Sequence, residues 1–462
     1  MIKPHKYTNK GVAILGLGKT GRSAVEFFSK VDANPIIVWD DDESRIQGLP
    51  SHVNLFRHSE IKWENLELLI PSPGIGSDHP MSIAARTAGC NVRSDIEVLW
   101  ENMPEAKYIG ITGTNGKSTT TALISHILNF SGVTNAVGGN FGTPALSLPN
   151  LSKDEIYILE LSSFQLSLCN SLSFDIAALI NISEDHLEWH GSLDAYIEAK
   201  LGIFRKGRLS NAIIGIDDIN TQKIYSKLVK EKINNIIPVS SNHIIDCGIS
   251  FSNGFLYEDG KRVCCIKKIP SLIGKHNAQN AAVAWAVVRA AGVSKESARK
   301  GISDFPGLEH RMESVSEIHG VRFINDSKAT NPEAAARALD TFSSIYWIAG
   351  GRAKCNDISP LKKSIKSVKH VFLFGESGYS LEVGLEGLTK SNRFVDLKSA
   401  IKAAAATAIE DSEPDAVVLF SPACSSFDQF DNFEDRGHAF KRHVSDLENL
   451  NLDELLRGAS SE

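Results

Sequence analysis

Cysteine pairs with the spacing of metal or redox sites, and long apolar runs, are what this sequence lacks. Its seven cysteines are scattered, and no two have the C-x-x-C spacing of zinc sites and redox-active pairs. We therefore expect a reducing compartment, the cytoplasm. No window approaches the length of a membrane span, and the first ten residues carry charge without the apolar segment of a signal peptide. We expect no membrane insertion.

Charge of one sign is not concentrated either. The 49 basic and 55 acidic residues give a net charge of −6, and no long basic run is present that would follow a nucleic-acid backbone. We expect no nucleic-acid partner. A chain of 462 residues with this composition is typical of about three globular domains.

Residues 108–121 predict a buried strand, a glycine loop and a helix. Glycines let backbone N–H groups surround a phosphate, Lys117 adds positive charge, and the Ser118 hydroxyl can bind Mg²⁺. The strict P-loop pattern requires glycine at position 111, where this chain has Ile111. A glycine-rich turn without a ligand is the alternative. The ATP site that we predict here contains Gly113, Thr114, Asn115, Gly116, Lys117, Ser118 and Thr119.

A second glycine loop lies near the start of the chain. An apolar run at 11–15 precedes Gly16-Leu-Gly-Lys-Thr-Gly21, an amphipathic stretch and a second apolar run that ends at Asp40. This order is typical of a βαβ unit that binds a dinucleotide. Three interpretations of this loop remain open: it binds NAD, it binds another nucleotide diphosphate, or it is a packing turn without a ligand. The Pro-Ser-Pro-Gly loop at 71–74 follows a further apolar run and predicts a rigid, ligand-facing loop.

Two more apolar runs precede polar residues. The run at 156–159 is followed directly by Glu160, and the run at 176–180 ends shortly before His186. Because ligands bind at the carboxyl ends of strands in open α/β sheets, both side chains are candidates for the same site. A purely structural role is the alternative to ligand binding for His186. The H-E-x-x-H zinc pattern is absent because position 187 is Leu. Lys200 lies among apolar residues. The alternative to a role in the site is that its side chain extends past these residues to solvent. Asn277 and Asn280 suit either helix capping or a base edge.

The fold class that these patterns predict is α/β, with three domains that each contain a mainly parallel sheet and flanking helices. Proline-containing stretches at 102–105 and 304–311 separate the predicted domains, which comprise residues 1–104, 105–305 and 306–462. In the last domain, polar loops at 325–331, 350–354 and 421–428 follow predicted strands and are candidates for binding.

Several short segments together resemble the ATP-dependent Mur ligase family. They are Thr112-Gly-Thr-Asn-Gly-Lys-Ser118, Leu159-Glu-Leu-Ser-Ser163, Glu184-Asp-His186, Lys200, His276-Asn277 with Asn280, His310-Arg311, Asn325-Asp-Ser-Lys-Ala-Thr330 and Ser421-Pro-Ala-Cys-Ser-Ser-Phe-Asp-Gln-Phe430. The resemblance covers nearly the whole chain. It implies a Rossmann-like first domain that holds a UDP group, a P-loop ATPase-like central domain and a Rossmann-like third domain.

The reaction that the resemblance implies joins D-glutamate to UDP-N-acetylmuramoyl-L-alanine through an acyl phosphate made from ATP. Lys117, His186, Lys200 and Lys328 are expected to act in catalysis. Two Mg²⁺ ions are expected on Ser118, Glu160, His186 and a carbamylated Lys200. ATP is expected to contact the phosphate loop and Asn277, Asn280, Arg311 and Asp326. The substrates are expected to contact Gly16, Lys19, Thr20, Asp40, Ser72, Pro73, Gly74, Asn140, Ser162, Thr330, Lys354, Ser426 and Phe433.

Three rival functions follow from the same residues. Another amide ligase of this superfamily would add a different amino acid, although the segment at 421–426 favours D-glutamate. An NAD-dependent oxidoreductase would explain the first glycine loop but would leave Lys117 without a role. The third rival is a nucleotide sensor without catalysis. We expect a monomer.

Overall fold

The computed structural model describes residues 5–55, 61–76, 78–233, 235–267, 269–353, 357–452 and 454. The chain forms two compact units, Met1–Lys268 with Lys275–Phe305, and Ile269–Gly274 with Pro306–Glu462. The first unit contains two sheets and the second contains one, all with flanking helices. The α/β fold class is therefore confirmed, while the domain boundaries at 104 and 305 stay predictions. No helix of the described part of the chain is long and apolar enough to cross a membrane.

The first sheet has five parallel strands in the order β3-β2-β1-β4-β5. Its elements are β1 (Gly11–Leu15), α1 (Lys19–Lys30), β2 (Ile36–Trp39), β3 (Val53–Leu55), β4 (Leu66–Pro71), α2 (Pro80–Thr87), β5 (Asn91–Val92) and α3 (Asp95–Asn102). Because β1 lies between β2 and β4, the strand order reverses there. The loops after β1 and β4 consequently border one crevice, the usual ligand position in such sheets.

The second sheet has nine strands in the order β14-β13-β12-β11-β10-β9-β6-β8-β7. Its elements are β6 (Lys107–Thr112), α4 (Lys117–Phe130), β7 (Asn135–Gly139), β8 (Ile156–Glu160), α5 (Ser163–Leu168), β9 (Ile176–Leu179), α6 (Leu187–His190), α7 (Leu193–Leu201), β10 (Asn211–Gly215), α8 (Ile219–Lys230), β11 (Ile236–Ser240), β12 (Ile249–Ser252), β13 (Phe255–Glu258), β14 (Lys261–Cys265), α9 (Lys275–Ala290) and α10 (Lys295–Ser303). Strand β6 lies between β8 and β9, so the loops that follow these three strands meet at one edge.

One edge of the second sheet differs from the parallel arrangement that the sequence predicts. Strands β12, β13 and β14 pair antiparallel. Their turns are Asn253-Gly254 and Asp259-Gly260, and all four residues have positive φ angles between 50° and 86°. Two-residue turns of this kind match the twist of paired antiparallel strands, which is why Asn-Gly and Asp-Gly favour hairpins.

Helix α9 is buried on nearly every side. Its residues 277–288 are all buried, and most of them are alanine and valine. A helix that is apolar all round lies in a protein interior, because no face is suited to water. The polar exceptions, Asn277, Gln279 and Asn280, cluster in its first two turns, and α9 packs against α4, which follows the phosphate loop.

The sheet of the second unit has the order β15-β16-β20-β17-β18-β19 and is parallel except for the β15–β16 hairpin. Its elements are β15 (Glu313–Ile318), β16 (Val321–Asn325), α11 (Pro332–Leu339), β17 (Ile345–Gly350), α12 (Ser359–Ser364), β18 (Val368–Phe374), α13 (Gly378–Leu385), β19 (Lys390–Phe394), α14 (Leu397–Asp411), β20 (Val417–Ala423) and α15 (Phe433–Glu448).

The predicted loop at 421–428 begins too early, because Ser421, Pro422 and Ala423 belong to strand β20. Proline has no N–H for a sheet hydrogen bond and usually marks a strand edge or a bulge. Here the pairing of β17 with β20 shifts register between Ile348 and Gly350, next to Pro422. The irregular pairing accommodates proline inside a central strand.

Candidate active site

The phosphate loop connects β6 to α4 with two glycines in unusual backbone conformations. Gly113 has φ +158° and Gly116 has φ +85°. A Cβ atom at Gly116 would lie 2.1 Å from Oδ1 of Asn280, so a side chain there would displace the asparagine. Asn280 in turn donates from Nδ2 to Oδ1 of Asn277 at 3.2 Å. The structure thus brings both asparagines to the phosphate loop.

Backbone groups of the loop are held by the segment that follows β9. The N–H of Thr114 donates to Asn181 O at 3.0 Å, and the N–H of Asn115 donates to Asn181 Oδ1 at 2.9 Å. Asn181 Nδ2 donates to Gln279 Oε1 at 3.0 Å. These bonds fix the loop before any ligand binds. Asn181 and Gln279 were absent from the sequence prediction, although both stand beside predicted site residues.

Two lysines converge on one carbonyl of the loop. Lys117 Nζ donates to the oxygens of Gly113 and Thr114, each at 2.9 Å, and Lys200 Nζ donates to Gly113 O at 3.0 Å. The Lys200 side chain is 1% exposed. Burial, and then the neighbouring Lys117 charge, hold the pKa of Lys200 well below its ordinary value. Lys200 therefore does not reach out to solvent, and its environment favours the neutral amine.

Tyr196 lies four residues before Lys200 on α7 and contacts both the lysine and the loop. Lys200 Nζ lies 4.7 Å from the centre of the Tyr196 ring, and the tyrosine hydroxyl lies 2.9 Å from Thr114 Oγ1. Burial raises the pKa of Tyr196 to about 12. Residues four apart share a helix face, so the spacing alone could have indicated Tyr196 as a neighbour of the site.

Glu160 ends β8 and presents a carboxylate at the same edge. Its side chain is 1% exposed, and Oε1 accepts from Asn140 Nδ2 at 2.8 Å. Oε2 has no hydrogen-bond partner among the residues that the structure describes. A buried carboxylate oxygen without a donor fits a hard cation such as Mg²⁺, which prefers oxygen ligands. Ser118, the second residue of the neighbouring helix α4, offers a hydroxyl.

His186 stands at the N-terminal cap of α6 with a positive φ of 53°. Its side chain is 45% exposed, and Nε2 lies 3.5 Å from Oδ2 of Asp185. The ring lies 4.9 Å from that of Phe164, which also contacts Trp189 and His190. An exposed imidazole with an adjacent carboxylate is suited to metal binding, because the carboxylate orients the ring.

The loops that border the crevice of the first sheet contain the substrate residues predicted for the UDP group. Gly16 has φ +89°, and a Cβ there would lie 2.6 Å from Ser72 Oγ, which donates to Gly16 O at 3.1 Å. Asp40 accepts the backbone N–H of Leu17 at 2.6 Å on Oδ2 and that of Asp42 at 2.8 Å on Oδ1. Asp40 therefore holds the glycine loop in place. Lys19 and Thr20 open α1, and Pro73 and Gly74 follow Ser72.

In the second unit, Asp326 is 6% exposed and follows β16. Its Oδ2 accepts from Ser421 Oγ at 2.8 Å and its Oδ1 from the Met312 N–H at 3.2 Å. Burial raises the pKa of Asp326 to about 6, and the nearby Arg311 opposes this shift. The structure thus brings Asp326 and Arg311 together.

Lys328 Nζ lies 5.3 Å from the centre of the Phe433 ring, and the N–H of Thr330 donates to Lys328 O at 2.9 Å. Three of the predicted acceptor contacts are therefore neighbours. Ser426, 2% exposed, accepts backbone N–H groups of residues 429 and 430 on its carbonyl. Ser162 caps α5, where its Oγ accepts the N–H of Gln165 at 3.1 Å. Lys354 lies outside the described residues.

Arg436 connects the two loops that contain these residues. The side chain is fully buried and donates to Ser327 Oγ at 3.1 Å, Ser327 O at 2.8 Å and Cys424 O at 3.0 Å. Burial lowers the pKa of Arg436 to about 10. The next residue, Gly437, packs against His310, and a Cβ at Gly437 would lie 2.2 Å from His310 Nδ1. The sequence prediction missed Arg436 because its helix position gives no sign of burial.

Family models match most of the chain in three segments. The Mur ligase MurD-like N-terminal domain matches residues 10–94, the Mur ligase middle domain matches 111–288, and the Mur ligase glutamate ligase domain matches 310–424. The chain belongs to the Mur ligase family. The resemblance that the sequence motifs indicated is confirmed.

Within this family, the chain is similar to proteins named UDP-N-acetylmuramoylalanine–D-glutamate ligase. One from Paramagnetospirillum magneticum is 40% identical over 450 residues, which cover 96% of this chain and 98% of the relative. One from Caulobacter vibrioides is 40% identical over 463 residues, covering 97% and 98%. The solved structure of UDP-N-acetylmuramate-alanine ligase from Thermotoga maritima has a TM-score of 0.58 at 18% identity, covering 95% of this chain and 99% of that one. That structure supports the fold alone.

Proposed function

We propose that this chain is an ATP-dependent ligase that adds D-glutamate to UDP-N-acetylmuramoyl-L-alanine in peptidoglycan precursor synthesis, acting as a monomer in the cytoplasm. The observation that supports it most is 40% identity along nearly the full length to proteins named for this reaction. The phosphate loop and the neighbouring Glu160 supply the chemistry that such a ligase needs.

In the proposed reaction, a carboxylate oxygen of UDP-N-acetylmuramoyl-L-alanine attacks the γ-phosphorus of ATP, and the bond to ADP breaks. The amine of D-glutamate then attacks the acyl carbon and loses a proton. Phosphate leaves, and an amide forms. Both carboxylate and triphosphate are anions, so positive charge must hold them together. Lys117 and the backbone N–H groups of Gly116 to Thr119 at the start of α4 supply it.

Two Mg²⁺ ions fit the oxygen and nitrogen ligands at this edge of the sheet. Ser118 and Glu160 would hold one, and His186 and a carbamylated Lys200 the other. When bound, Mg²⁺ neutralises charge on the transferring phosphoryl group. Lys200 suits carbamylation because only a neutral amine reacts with CO₂, and its burial favours that form.

For the nucleotide, we assign Asn277 and Asn280 to the adenine and Asp326 and Arg311 to the ribose and phosphates. The crevice residues Gly16, Lys19, Thr20, Asp40, Ser72, Pro73 and Gly74 are assigned to the UDP group, and Asn140 and Ser162 to the muramoyl-alanine end. The acceptor's carboxylates are assigned to Lys328, Thr330, Lys354 and Ser426, with Phe433 closing the pocket.

Phosphate release tests the proposal directly. With ATP and UDP-N-acetylmuramoyl-L-alanine fixed, we expect D-glutamate to support turnover and L-glutamate, L-alanine and meso-diaminopimelate to support little. Preference for one of the other three would replace the acceptor assignment, and no turnover with any would refute the ligase. An unchanged KM for D-glutamate in Lys354→Ala would move the acceptor site elsewhere.

A second experiment addresses Lys200. Lys200→Ala should be nearly inactive and should recover part of its activity in acetate, which replaces the carbamate. The exposed Lys206→Ala is the matched control and should behave like the unaltered protein. Full activity of Lys200→Ala without acetate would rule out the carbamate.

A further inference from the structure

Asp217 follows β10 and accepts hydrogen bonds from three residues at one edge of the second sheet. Its Oδ1 accepts from Ser240 Oγ at 2.8 Å. Its Oδ2 accepts from the N–H and the Oγ of Ser241, each at 2.7 Å, and from Gln279 Nε2 at 3.3 Å. Because a carboxylate has only acceptors, each group that contacts Asp217 must present a donor.

The carboxylate of Asp217 determines which way the buried amide of Gln279 faces. With Nε2 directed at Asp217, the Oε1 atom of Gln279 accepts from Asn181 Nδ2 at 3.0 Å. The reversed amide would place two acceptors together at Asp217 and two donors together at Asn181. Buried polar groups need their partners, so the observed orientation is the stable one.

Asn181 is oriented in the same way by Gln279. Its Nδ2 is directed at Gln279, so its Oδ1 faces the phosphate loop and accepts the Asn115 N–H at 2.9 Å. A reversed Asn181 amide would present a donor to that N–H. The side chains of Asp217, Gln279 and Asn181 therefore form a directional chain of hydrogen bonds that ends at the phosphate loop, and such bonds strengthen one another in a protein interior.

Packing restricts the Gln279 amide as well. A Cβ atom at Gly215, the last residue of β10, would lie 3.3 Å from Gln279 Nε2. Glycine at that position leaves the space that the amide occupies. Gln279 also precedes Asn280, whose Oδ1 lies where a Cβ of Gly116 would be. The amide is thus enclosed between β10 and the phosphate loop.

We propose that Gln279 is a positioning residue for ATP binding, which carries the acceptor pattern of Asp217 through Asn181 to the Asn115 N–H and so holds the phosphate loop in its binding conformation. This inference rests on the proposed function, because that function assigns ATP to the loop. Gln279 itself does not touch the nucleotide in this account.

Calorimetric titration with ATP and Mg²⁺ tests the direction of the chain. Gln279→Glu keeps the size of the side chain, but its carboxylate cannot donate to Asp217. At pH 8 we expect the Kd for ATP to be about tenfold or more above that of the unaltered protein. Repulsion by Asp217 and burial raise the pKa of the introduced carboxyl group, so it is protonated at pH 5.5. The protonated group has the donor and acceptor pattern of glutamine, and the ratio of the two Kd values should fall to about threefold or less.

The ratio at each pH removes titrations that both proteins share, including that of His243, which lies 3.3 Å from Ser240 Oγ. Gln222→Glu, at an exposed position on α8, adds a carboxylate to the same sheet and is the matched control. It should change the Kd by less than about twofold at either pH. Unchanged binding by Gln279→Glu at pH 8, or the same ratio at both pH values, would overturn the proposal.

Gln279→Met removes both ends of the amide without adding charge, and it serves as the second variant if Gln279→Glu unfolds at pH 8. Hydrogen exchange without ATP then gives a readout that does not depend on the proposed function. Protection in peptides covering residues 113–118 should fall by about tenfold, the effect of one hydrogen bond, while peptides covering β2 should not change. Unchanged protection of the loop would overturn the proposal, whereas failure of the unaltered protein to bind ATP would refute the proposed function instead.

Discussion

Replacing Arg436 by methionine tests how the loops of the second unit are held. The guanidinium makes three hydrogen bonds to Ser327 and Cys424, and hydrogen bonds from charged donors contribute about 1.5–3 kcal/mol each. The free-energy cost of burying the Arg436 charge opposes this contribution. The fall in the Arg436 pKa from 12.5 to about 10 corresponds to about 3 kcal/mol. The difference is about 1.5–6 kcal/mol, and we expect a net destabilisation of about 3 kcal/mol for Arg436→Met.

Hydrogen exchange followed by mass spectrometry measures this locally, which suits a chain with two compact units that need not unfold together. Protection in peptides covering β16 and β20 should fall by about a hundredfold. Arg442→Met, an exposed arginine on the same helix, is the matched control and should change stability by less than about 0.5 kcal/mol. If both variants kept the protection of the unaltered protein, the three hydrogen bonds would contribute no net stability, and our account of Arg436 would fail.

Three further predictions concern the first unit. Lys117→Ala should fold normally and lose about a hundredfold or more in turnover, because in the proposed reaction the Lys117 charge acts on the transferring phosphate; turnover near that of the unaltered protein at saturating ATP would contradict this. Gly116→Ala should abolish ATP binding in calorimetry, because its Cβ would meet Asn280 Oδ1 at 2.1 Å, and unchanged affinity would argue against the asparagine contact. Asp95 is buried with its pKa raised from 3.8 to about 6, so the folded state binds the proton more tightly and stability falls as pH rises from about 3.8 to 6. Asp95→Asn should therefore raise the free energy of unfolding by up to about 3 kcal/mol at pH 7 and by almost nothing at pH 3, and equal gains at both would refute the assignment.

Much of the fold could be predicted because buried parallel strands leave a simple signal. The apolar runs at 11–15, 156–159 and 176–180 all became strands within a residue or two of their predicted bounds. The hairpins β12–β14 were not predicted although their Asn-Gly and Asp-Gly turns are strong local signals, because the alternation of strands and helices dominates the surrounding sequence pattern. Strand β20 was shortened because Pro422 normally ends a strand, and only its partner's register shift admits it.

The candidate site divides in the same way. Glycines, Lys117 and Glu160 could be predicted because each lies at the end of an apolar run. Asn181, Gln279 and Arg436 could not, since their importance comes from contacts made across the fold. The position of the Lys200 side chain could not be predicted either, because the sequence is compatible with solvent exposure. The structure buries this side chain beside Gly113.

The contact between Gly437 and His310 couples two positions that are distant in the sequence. The imidazole occupies the space where any other residue at 437 would place its Cβ, and Asn325 Nδ2 lies 3.0 Å from the same Nδ1 atom. A homologue with alanine at the position of Gly437 should therefore carry a smaller residue at the position of His310. The two substitutions should appear together in descent, because either intermediate pays for the mismatch, with a clash in one order and an empty space in the other.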